Sequence, residues 1–546
     1  MLATFVFIVA MFITMVLIPP LMKSAARFSF VDMPNERKVH TAPIPRVGGI
    51  AMVAGAITPI IIWVQRPTEV LAFLLAIGVI LIFGVWDDRR PLNHRYKFLG
   101  QLIAICIVVF YGGITIRYVP FHSLEPIPYA ASIALTIFAL LGITNAINLA
   151  DGLDGLAGGA TFMSIAAISV LAYMSGDGTL LMLSTAIMGS IVGFLRFNTY
   201  PAQVFMGDAG SQFLGFTAGI LVILLTQKSD PALSPAMTLL VLGLPLLDTF
   251  IVIGQRLYEG RSPFKPDRNH LHHKLLSLGY DHYEAVVMIY AAQALLVTSG
   301  VYFRYQSDLT NLAIFGGFSL ATIVIFQLAK RTGWRAHAHH AADQLTPLSD
   351  LIGRLKRSGV LETYPTMFIA VAVPSYAAFA ILAAPAIPYD AAITVFAMMC
   401  LSIAGVFLTR GRGKIGLLER LLICTTLTAA VYYYVTALRV KSSFFTLENA
   451  FFSILILALL ISYRFSRTRQ FRATPMDFLV IFAVLVVPNM VGTTLVTGDI
   501  GEVAAKAVVL YYAAELLISQ TLNKEWLIRG VIVTVLAVFT AKALWL

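Results

Sequence analysis

Stretches of about twenty consecutive apolar residues recur along this chain, and they constrain its fold more than any other feature. A stretch of that length crosses the hydrocarbon core of a bilayer as a helix. Hydrophobic residues make up 58% of the chain and charged residues 12%, which excludes a soluble globular protein. The stretches do not alternate polar and apolar positions, and backbone groups inside a membrane must be satisfied locally, so helices fit and a transmembrane barrel does not. The sequence therefore predicts an all-α polytopic membrane protein.

The apolar stretches predict about eleven core transmembrane helices followed by about seven C-terminal ones. The expected core spans are 2–22, 47–64, 69–85, 98–115, 129–147, 156–174, 179–195, 211–227, 236–254, 285–303 and 310–329. The later spans are expected at 366–385, 390–409, 416–436, 446–463, 477–493, 503–520 and 527–546. We expect three parts: a membrane core at 1–335, a cytoplasmic linker at 336–365, and a C-terminal transmembrane extension of unknown role at 366–546.

The distribution of basic residues predicts the orientation in the membrane. Most of the 39 Lys and Arg residues fall in loops that follow odd-numbered spans, and cytoplasmic loops are the ones enriched in Lys and Arg. Those loops are expected in the cytoplasm, with the N-terminus of the chain outside. The net charge of +11 is then a result of topology, so it does not indicate a nucleic-acid partner.

Acidic residues are concentrated in three of the same loops. They are Asp87, Asp88, Asp151, Asp154 and Asp208. Any one of them could be an ordinary solvated turn or cap residue, but that explanation is poor for the whole set. Clustered carboxylates beside glycine-rich turns suit Mg²⁺ or Mn²⁺, which proteins bind through one or two carboxylates while water and phosphate complete the coordination. A diphosphate substrate is implied.

Basic side chains that could hold phosphate share this face. They include Lys38, His40, Lys97, Arg268, His270, His272 and His273. A phosphoryl-transfer site needs such donors as charge moves to the leaving group. Alternatively, a single basic residue here could be ordinary flanking charge, and the His-x-His-His pattern could bind zinc, although no Cys lies near it and no standard zinc spacing is complete. A metal-binding, anion-holding site framed by membrane helices favours transfer of a phosphosugar from a soluble nucleotide diphosphate to a lipid phosphate.

Four motifs also resemble those of a known family. They are GVWDDRR (84–90), NAINLADGLDGLAGG (145–159), NTYPAQVFMGDAGS (198–211) and RLYEGRSPFKPDRNHLHHKLL (256–276). They resemble the polyprenyl-phosphate N-acetylhexosamine-1-phosphate transferases, in the bacterial branch that acts on undecaprenyl phosphate and UDP-N-acetylglucosamine. The resemblance covers roughly residues 1–330. It implies a multi-pass protein of the bacterial inner membrane that releases UMP, requires Mg²⁺ or Mn²⁺ and starts a lipid-linked glycan such as O-antigen, teichoic acid or exopolysaccharide.

The resemblance implies roles for individual residues. Asp208 would bind the metal, with Asp87 or Asp88 as a second metal contact or as the base that readies the lipid phosphate. Lys97 would neutralise phosphate. The catalytic set also includes His270, His272 and His273. Together with Arg268, these histidines would hold the diphosphate and the sugar. The expected substrate-binding set is Asn145, Asn148, Asp151, Asp154, Phe205, Arg268, Lys38 and His40.

Several alternatives remain open from the sequence. The lipid phosphate could attack directly, which we favour because a metal-held in-line arrangement needs no extra intermediate, or a phosphosugar could form on an Asp. Within the family, the chain could transfer phospho-MurNAc-pentapeptide, although D-R-N-H-L-H-H-K (267–274) resembles the N-acetylglucosamine branch. Outside it, a transporter or a structural scaffold would also be polytopic. A homodimer is left open.

Overall fold

The computed structural model describes residues 2–33, 43–65, 67–122, 125–260, 269–336, 359–383, 426–432, 444–465, 475–483 and 498–520, with a few single or paired positions between 423 and 542. It divides into two compact units, one made of 1–341 with 474–491 and the other of 342–473 with 492–546. Apart from the segments that connect them, the elements in the described residues are helices and one small antiparallel sheet of two strands.

The first unit is a helical bundle that contains the candidate site residues that the structure describes. Its elements are α1 (Leu2–Ala25), β1 (Val31–Asp32), β2 (Ile44–Pro45), α2 (Gly48–Trp63), α3 (Thr68–Arg89), α4 (His94–Cys106), α5 (Tyr129–Ala150), α6 (Leu156–Met174), α7 (Gly178–Asn198), α8 (Gly207–Leu224), α9 (Met237–Val241), α10 (Gly243–Tyr258), α11 (Leu271–Ser277), α12 (His282–Tyr302) and α13 (Asp308–Thr332). Single π turns extend α4 through Ile107–Tyr111 and α8 through Leu225–Ser229.

The second unit contains α14 (Val360–Ala383), α15 (Phe444–Phe465) and α17 (Gly498–Gln520), while α16 (Pro475–Ile481) packs in the first unit. An ionic network joins these three described helices of the second unit. The Lys506 ammonium pairs with Glu448 at 2.8 Å and with Glu502, and the Tyr376 hydroxyl donates to Glu448 at 2.6 Å. Within a membrane, such pairing is what makes ionised side chains tolerable.

Nine of the described helices are long and apolar enough to cross a membrane. Together with the near absence of strands in the described residues, they confirm the predicted all-α polytopic membrane architecture. Helices α6 and α8 form the centre, since 94% of the membrane-length window of each is buried, against 6% for α13. Helix α8, which begins with the Asp208 motif, is therefore held in the middle of the bundle.

Side-chain caps fix where several helices begin, as the sequence pattern of Asn, Asp and Ser before apolar runs would suggest. Asn93 accepts from the backbone of Arg95 at the start of α4, and Asp177 accepts from Leu180 at the start of α7. Asp281 begins α12 with a reciprocal capping box. The caps at Asn93 and Asp281 place the starts of α4 and α12 near the loops of the site, whereas Asp177 lies at the end of α7 away from them, beside Ser229.

The structure divides the stretch 236–254, which we expected to form one continuous span. Helix α9 ends at Val241 and α10 begins at Gly243, whose φ is +37°. Gln293 of α12 spans the break, accepting from the Leu244 amide at 2.7 Å and donating to the Val241 carbonyl at 3.4 Å. Broken backbone at membrane depth requires such replacement partners, which explains why a glutamine is fully buried in α12.

Candidate active site

Asp208 lies at the N-terminus of α8, where side chains from two other helices meet it. Its Oδ1 accepts a hydrogen bond from Asn148 Nδ2 at 2.9 Å, and its Oδ2 lies 3.5 Å from Lys97 Nζ. Asn148 also donates to Ser211 Oγ, one turn into α8. The ends of α4, α5 and α8 therefore converge on one carboxylate, at a helix terminus whose dipole favours negative charge.

Asp88, at the end of α3, caps α8 with both carboxylate oxygens. Its Oδ1 accepts from the Asp208 amide at 2.7 Å and its Oδ2 from the Ala209 amide at 3.0 Å. Gly207 is needed here, because its φ is +68° and an added Cβ would lie 2.4 Å from Asp88 Oδ1. The sequence could not separate Asp87 from Asp88. The structure gives Asp88 the task of positioning Asp208, while its predicted catalytic role stays a prediction.

Asp87 is the carboxylate of α3 that faces the site. It is 3% exposed, its Oδ1 accepts from the Leu92 amide at 2.6 Å, and its Oδ2 pairs with the Lys97 ammonium. The same Lys97 ammonium lies 3.5 Å from Asp208 Oδ2, which brings the Asp87 and Asp208 carboxylates to one cation. Two carboxylates this close require a cation, and Lys97 bridges both of them.

A layer of amide side chains lies one helical turn below the carboxylates. Gln101 Nε2 donates to Gln212 Oε1 at 3.1 Å, and Asn145 Nδ2 donates to Gln101 Oε1 at 2.9 Å. Gln101 follows Lys97 by four positions, and Gln212 follows Asp208 by four. Asn145 precedes Asn148 by three. Each amide residue therefore lies one turn from a site residue on the same face of its own helix. Asn145 was predicted to bind substrate, but its amide nitrogen is turned toward this layer and the Leu141 carbonyl.

Asp151 follows the last residue of α5 and presents a carboxylate without a hydrogen bond to the described part of the chain. Burial raises the pKa of Asp151 to about 7, and the negative charges of Asp208, Asp154 and Asp88 add to the effect. The Arg46 guanidinium acts in the opposite direction. Among the acids of the site, Asp151 is thus the one whose negative charge is least stabilised by the described residues.

Asp154 instead ties the loop after α5 to two neighbouring elements. Its Oδ2 accepts from the Ala202 amide at 2.9 Å, and its backbone amide donates to His282 Nε2 at 3.1 Å. The His282 ring stacks on Tyr200 with centroids 4.4 Å apart. The expected substrate-binding acid therefore holds the loop at 199–206, which leads directly into Asp208.

Asp248, a buried residue of α10, orients the histidine motif. Its Oδ2 accepts from His270 Nδ1 and its Oδ1 accepts from the Leu271 amide, each at 2.9 Å, which fixes the start of α11. The His272 ring lies against Gly152 of the Asp151 loop, since a Cβ there would be 2.2 Å from Nε2. Burial lowers the pKa of His272 to about 3, with neighbouring His273 contributing, so His272 is a neutral hydrogen-bonding group.

Phe205 joins the small sheet to the start of α8. Its amide donates to the Pro45 carbonyl at 2.8 Å, and its carbonyl accepts from the Gly48 amide at 2.9 Å. The predicted residues Lys38, His40 and Arg268 lie outside the described residues. Over the described ranges, no group of three or more His, Cys, Asp and Glu side chains is arranged to hold a metal ion.

The sequence reasoning missed Arg46, which follows β2 in the motif IPRVGG (44–49). Arg46 pairs with buried Asp32 of β1, and its charge reaches Asp151. An arginine between a proline and two glycines, directly before an apolar run, was the available signal. His282 was missed as well, because a single histidine at a helix start gives no sequence pattern.

Comparison with known proteins gives consistent results. The family described as glycosyl transferase family 4 matches residues 70–226. A probable undecaprenyl-phosphate N-acetylglucosaminyl 1-phosphate transferase of Bacillus subtilis is 32% identical over 332 residues, covering 60% of this chain and 91% of the relative. The undecaprenyl-phosphate alpha-N-acetylglucosaminyl 1-phosphate transferase of Escherichia coli is 32% identical over 57% of this chain and 87% of its own length. A decaprenyl-phosphate N-acetylglucosaminephosphotransferase of Mycolicibacterium smegmatis is 36% identical over 49% and 73%, respectively.

Proposed function

Since the chain belongs to the family of polyprenyl-phosphate N-acetylhexosamine-1-phosphate transferases, we propose that it transfers N-acetylglucosamine 1-phosphate from UDP-N-acetylglucosamine to undecaprenyl phosphate and releases UMP. In this reaction an oxygen of the lipid phosphate attacks the β-phosphorus of the nucleotide sugar. The bond from that phosphorus to the bridging oxygen breaks, and the bridging oxygen leaves with UMP. The product is a lipid diphosphate that carries the sugar.

The observation that carries this proposal is the convergence of Asp87, Asp208 and Lys97. The three side chains come from three different helices and meet beside Asn148 and the Asp151 loop. Phosphoryl transfer needs little covalent chemistry from the protein, but it does need charge stabilisation and positioning of the two phosphates. A lysine held between two carboxylates is placed to move onto a phosphate oxygen as negative charge develops there.

A divalent cation, Mg²⁺ or Mn²⁺, fits this site. The Asp87 and Asp208 carboxylates, which meet at Lys97, would provide the one or two anionic ligands that Mg²⁺ takes from proteins, and the described residues provide no larger cluster. When bound, the cation would neutralise charge on the diphosphate of the donor. We assign Asp208 and Asp87 to hold it. Asp88, with both oxygens bound to the backbone of α8, keeps Asp208 in place.

The remaining residues act on the donor in this proposal. Asn148, Asp151 and Phe205 frame the uridine, and His270 and His272 hold the diphosphate and sugar. Support comes from the contact of the His272 ring with Gly152, which joins the histidine motif to the Asp151 loop. Because Asp248 binds His270 through Nδ1, the Nε2 atom of His270 is left for a ligand.

We further propose that the protein lies in the bacterial inner membrane with this site on the cytoplasmic face, where nucleotide sugars are made. The product would then start a lipid-linked glycan such as O-antigen, teichoic acid or exopolysaccharide. The predominance of Lys and Arg in the loops on the side of the site supports this orientation.

The decisive experiment measures UMP release by purified protein supplied with undecaprenyl phosphate and Mg²⁺. UDP-N-acetylglucosamine, UDP-N-acetylgalactosamine and UDP-MurNAc-pentapeptide are tested in parallel. We expect release with the first donor only, dependent on both lipid and metal, and lost in Asp208→Asn protein that elutes as the wild type does. Release only with the pentapeptide donor would move the chain to peptidoglycan synthesis, and no release from folded protein would refute the transferase proposal.

A further inference from the structure

Helix α16 lies far along the sequence but belongs to the first unit. Residues 474–491 are part of that unit, whereas the residues before and after them, 342–473 and 492–546, form the second unit. Helix α16 packs on α12 and α6. Leu479 and Phe482 are 3% and 1% exposed, and they lie in the same hydrophobic core cluster as residues of those two helices. A segment of the C-terminal extension is therefore built into the core that carries the candidate site.

Phe478 of α16 contacts Tyr290 of α12. The two ring centroids are 6.0 Å apart, and the ring planes are inclined at 43°. Tyr290 is 1% exposed, so its orientation is set by the residues that pack around it. Helix α6 makes room for this side chain with Gly159, because an added Cβ there would lie 1.9 Å from the Tyr290 hydroxyl oxygen. Tyr290 thus contacts both α6 and α16.

The Tyr290 hydroxyl holds the loop that follows α5. It donates to the Gly155 carbonyl at 2.6 Å. Gly155 has a φ of +78°, and its amide donates to Asn198 Oδ1 at 2.9 Å. This glycine directly follows Asp154 and lies four residues after Asp151. Both polar backbone groups of Gly155 are therefore bound by side chains of other helices, and Tyr290 supplies one of the two.

The contact with Phe478 bears on the strength of this hydrogen bond. A buried tyrosine hydroxyl needs a partner, and the Gly155 carbonyl provides it. If the Phe478 ring were removed, Tyr290 would lose van der Waals contacts and would gain freedom to leave its present orientation. The bond to Gly155 would then weaken, and the loop would open more often. The chain of contacts runs from Phe478 through Tyr290 to the backbone beside Asp154.

We propose that α16 is a working part of the transferase and that Phe478 is a positioning residue, which holds Tyr290 against the Gly155 carbonyl and thereby sets the place of Asp151 and Asp154. The inference rests on the proposed function, because it gives a role in that reaction to a segment that follows the last family motif, which ends at residue 276. Since Asp151 frames the uridine in the proposed function, the effect falls on the nucleotide sugar. The lipid acceptor is not affected.

The first test is a comparison of steady-state kinetics in two alanine variants of α16. Ile481 lies on the same helix and is 39% exposed, so Ile481→Ala is the matched control for Phe478→Ala. We expect Phe478→Ala to raise KM for UDP-N-acetylglucosamine about three- to tenfold, the range for weakening one neutral hydrogen bond. KM for undecaprenyl phosphate and kcat should stay unchanged, because only donor binding is weakened. Phe478→Leu keeps apolar bulk, so it should fall between the wild type and the alanine variant, and it replaces that variant if alanine prevents folding. Equal donor KM values in the Phe478 and Ile481 variants would overturn the proposal.

A double-mutant cycle tests whether Phe478 acts through the tyrosine hydroxyl. Tyr290→Phe removes that hydroxyl and keeps the ring, so it should itself raise KM for the donor. Adding Phe478→Ala to Tyr290→Phe should then raise it little further, because the bond through which Phe478 acts is already absent. Fully additive increases would mean that Phe478 contributes only general packing, which would overturn its positioning role.

Hydrogen–deuterium exchange of substrate-free protein tests the same link without turnover. Peptides covering 151–159 should exchange faster in Phe478→Ala and Tyr290→Phe than in the wild type, because the loop opens more often. Ile481→Ala should exchange as the wild type does. Unchanged exchange in the Phe478 variant would overturn the proposal. If the loop responded while wild-type protein released no UMP with any donor, the positioning role would stand and the reaction assignment alone would fail.

Discussion

Neutralising the two adjacent aspartates of α3 one at a time should change the stability of the protein to very different extents, because only one of them caps α8. In Asp88→Asn, one side-chain oxygen still accepts from the backbone of α8, but the other position becomes an NH₂ group facing a backbone N–H. The 7% exposure of Asp88 prevents water from replacing the lost partner. In Asp87→Asn, the amide oxygen can still accept from Leu92. The ion pair of Asp87 with Lys97 is lost, but Lys97 keeps Asp208 as a partner and the charge repulsion between the two carboxylates disappears, so the two effects largely offset each other.

The magnitude follows from the bonds involved. A hydrogen bond to a charged group contributes about 1.5–3 kcal/mol, and leaving a buried donor unsatisfied costs about 1–3 kcal/mol. The lost carboxylate charge at the helix N-terminus adds up to about 2 kcal/mol when partly buried. We therefore expect Asp88→Asn to destabilise the protein by about 3–5 kcal/mol. Asp87→Asn should change stability by less than about 1 kcal/mol but remove turnover.

The assay compares both variants with the wild type in the same detergent, by thermal denaturation followed through intrinsic fluorescence and by UMP release. The expected pattern is a clear loss of stability in Asp88→Asn with residual turnover in the folded fraction, and wild-type stability with no turnover in Asp87→Asn. The reverse pattern, or equal stability of the two variants, would refute the assignment of Asp88 as a cap.

Three further predictions concern the surroundings of the site. Gln101→Leu removes the donor to Gln212 Oε1 and one acceptor of Asn145 Nδ2, so it should lower stability by about 1–3 kcal/mol and reduce kcat in the UMP assay, and wild-type kcat in this variant would contradict the role of the layer. His282→Phe keeps a ring against Tyr200 but removes the acceptor of the Asp154 amide, so kcat/KM should fall about tenfold. His282→Gln should restore part of this loss. Equal activity of the Phe and Gln variants would contradict the positioning role of His282. The pKa of Asp151 is raised to about 7 in the folded protein, so the protonated form of this residue favours folding. Metal-free protein should therefore lose stability as pH rises from about 4 to about 7. Thermal denaturation across that range should show a flatter stability profile in Asp151→Asn.

The sequence was sufficient to predict the architecture, and it named several of the side chains that the structure brings together, for identifiable reasons. Apolar stretches of membrane length dictate helices, and the motif order places Asp87, Asp208 and the histidines near each other at helix ends. Adjacent residues such as Asp87 and Asp88 look alike in a sequence, however. Their roles depend on which backbone each faces, and that is set by the close packing of α3 on α8 at Gly84, where an added Cβ would lie 2.4 Å from Ala209.

Other features depended on contacts between distant parts of the chain. The break between α9 and α10 lies within an ordinary apolar stretch, and its stabilising partner, Gln293, is 49 residues away from Leu244. The inward turn of Asn145 is likewise decided by Gln101 on another helix. Periodicity and composition describe one segment at a time, so they carry no information about such pairings.

The capping of α8 by Asp88 has a consequence for how the protein is made. Asp88 precedes its partner amide at Asp208 by 120 residues, and at synthesis rates of about 5–20 residues per second it waits on the order of 6–24 seconds for that partner to emerge from the ribosome. Because Asp88 lies at the end of α3, its carboxylate can stay hydrated at the membrane surface until then, and no charge is placed in hydrocarbon. The site is then completed late in biogenesis, when the α8 segment enters the bundle and displaces that water. A substitution that moved the acid one helical turn deeper would place a charge in hydrocarbon. It would make membrane insertion of the nascent chain less favourable before it affected the folded protein.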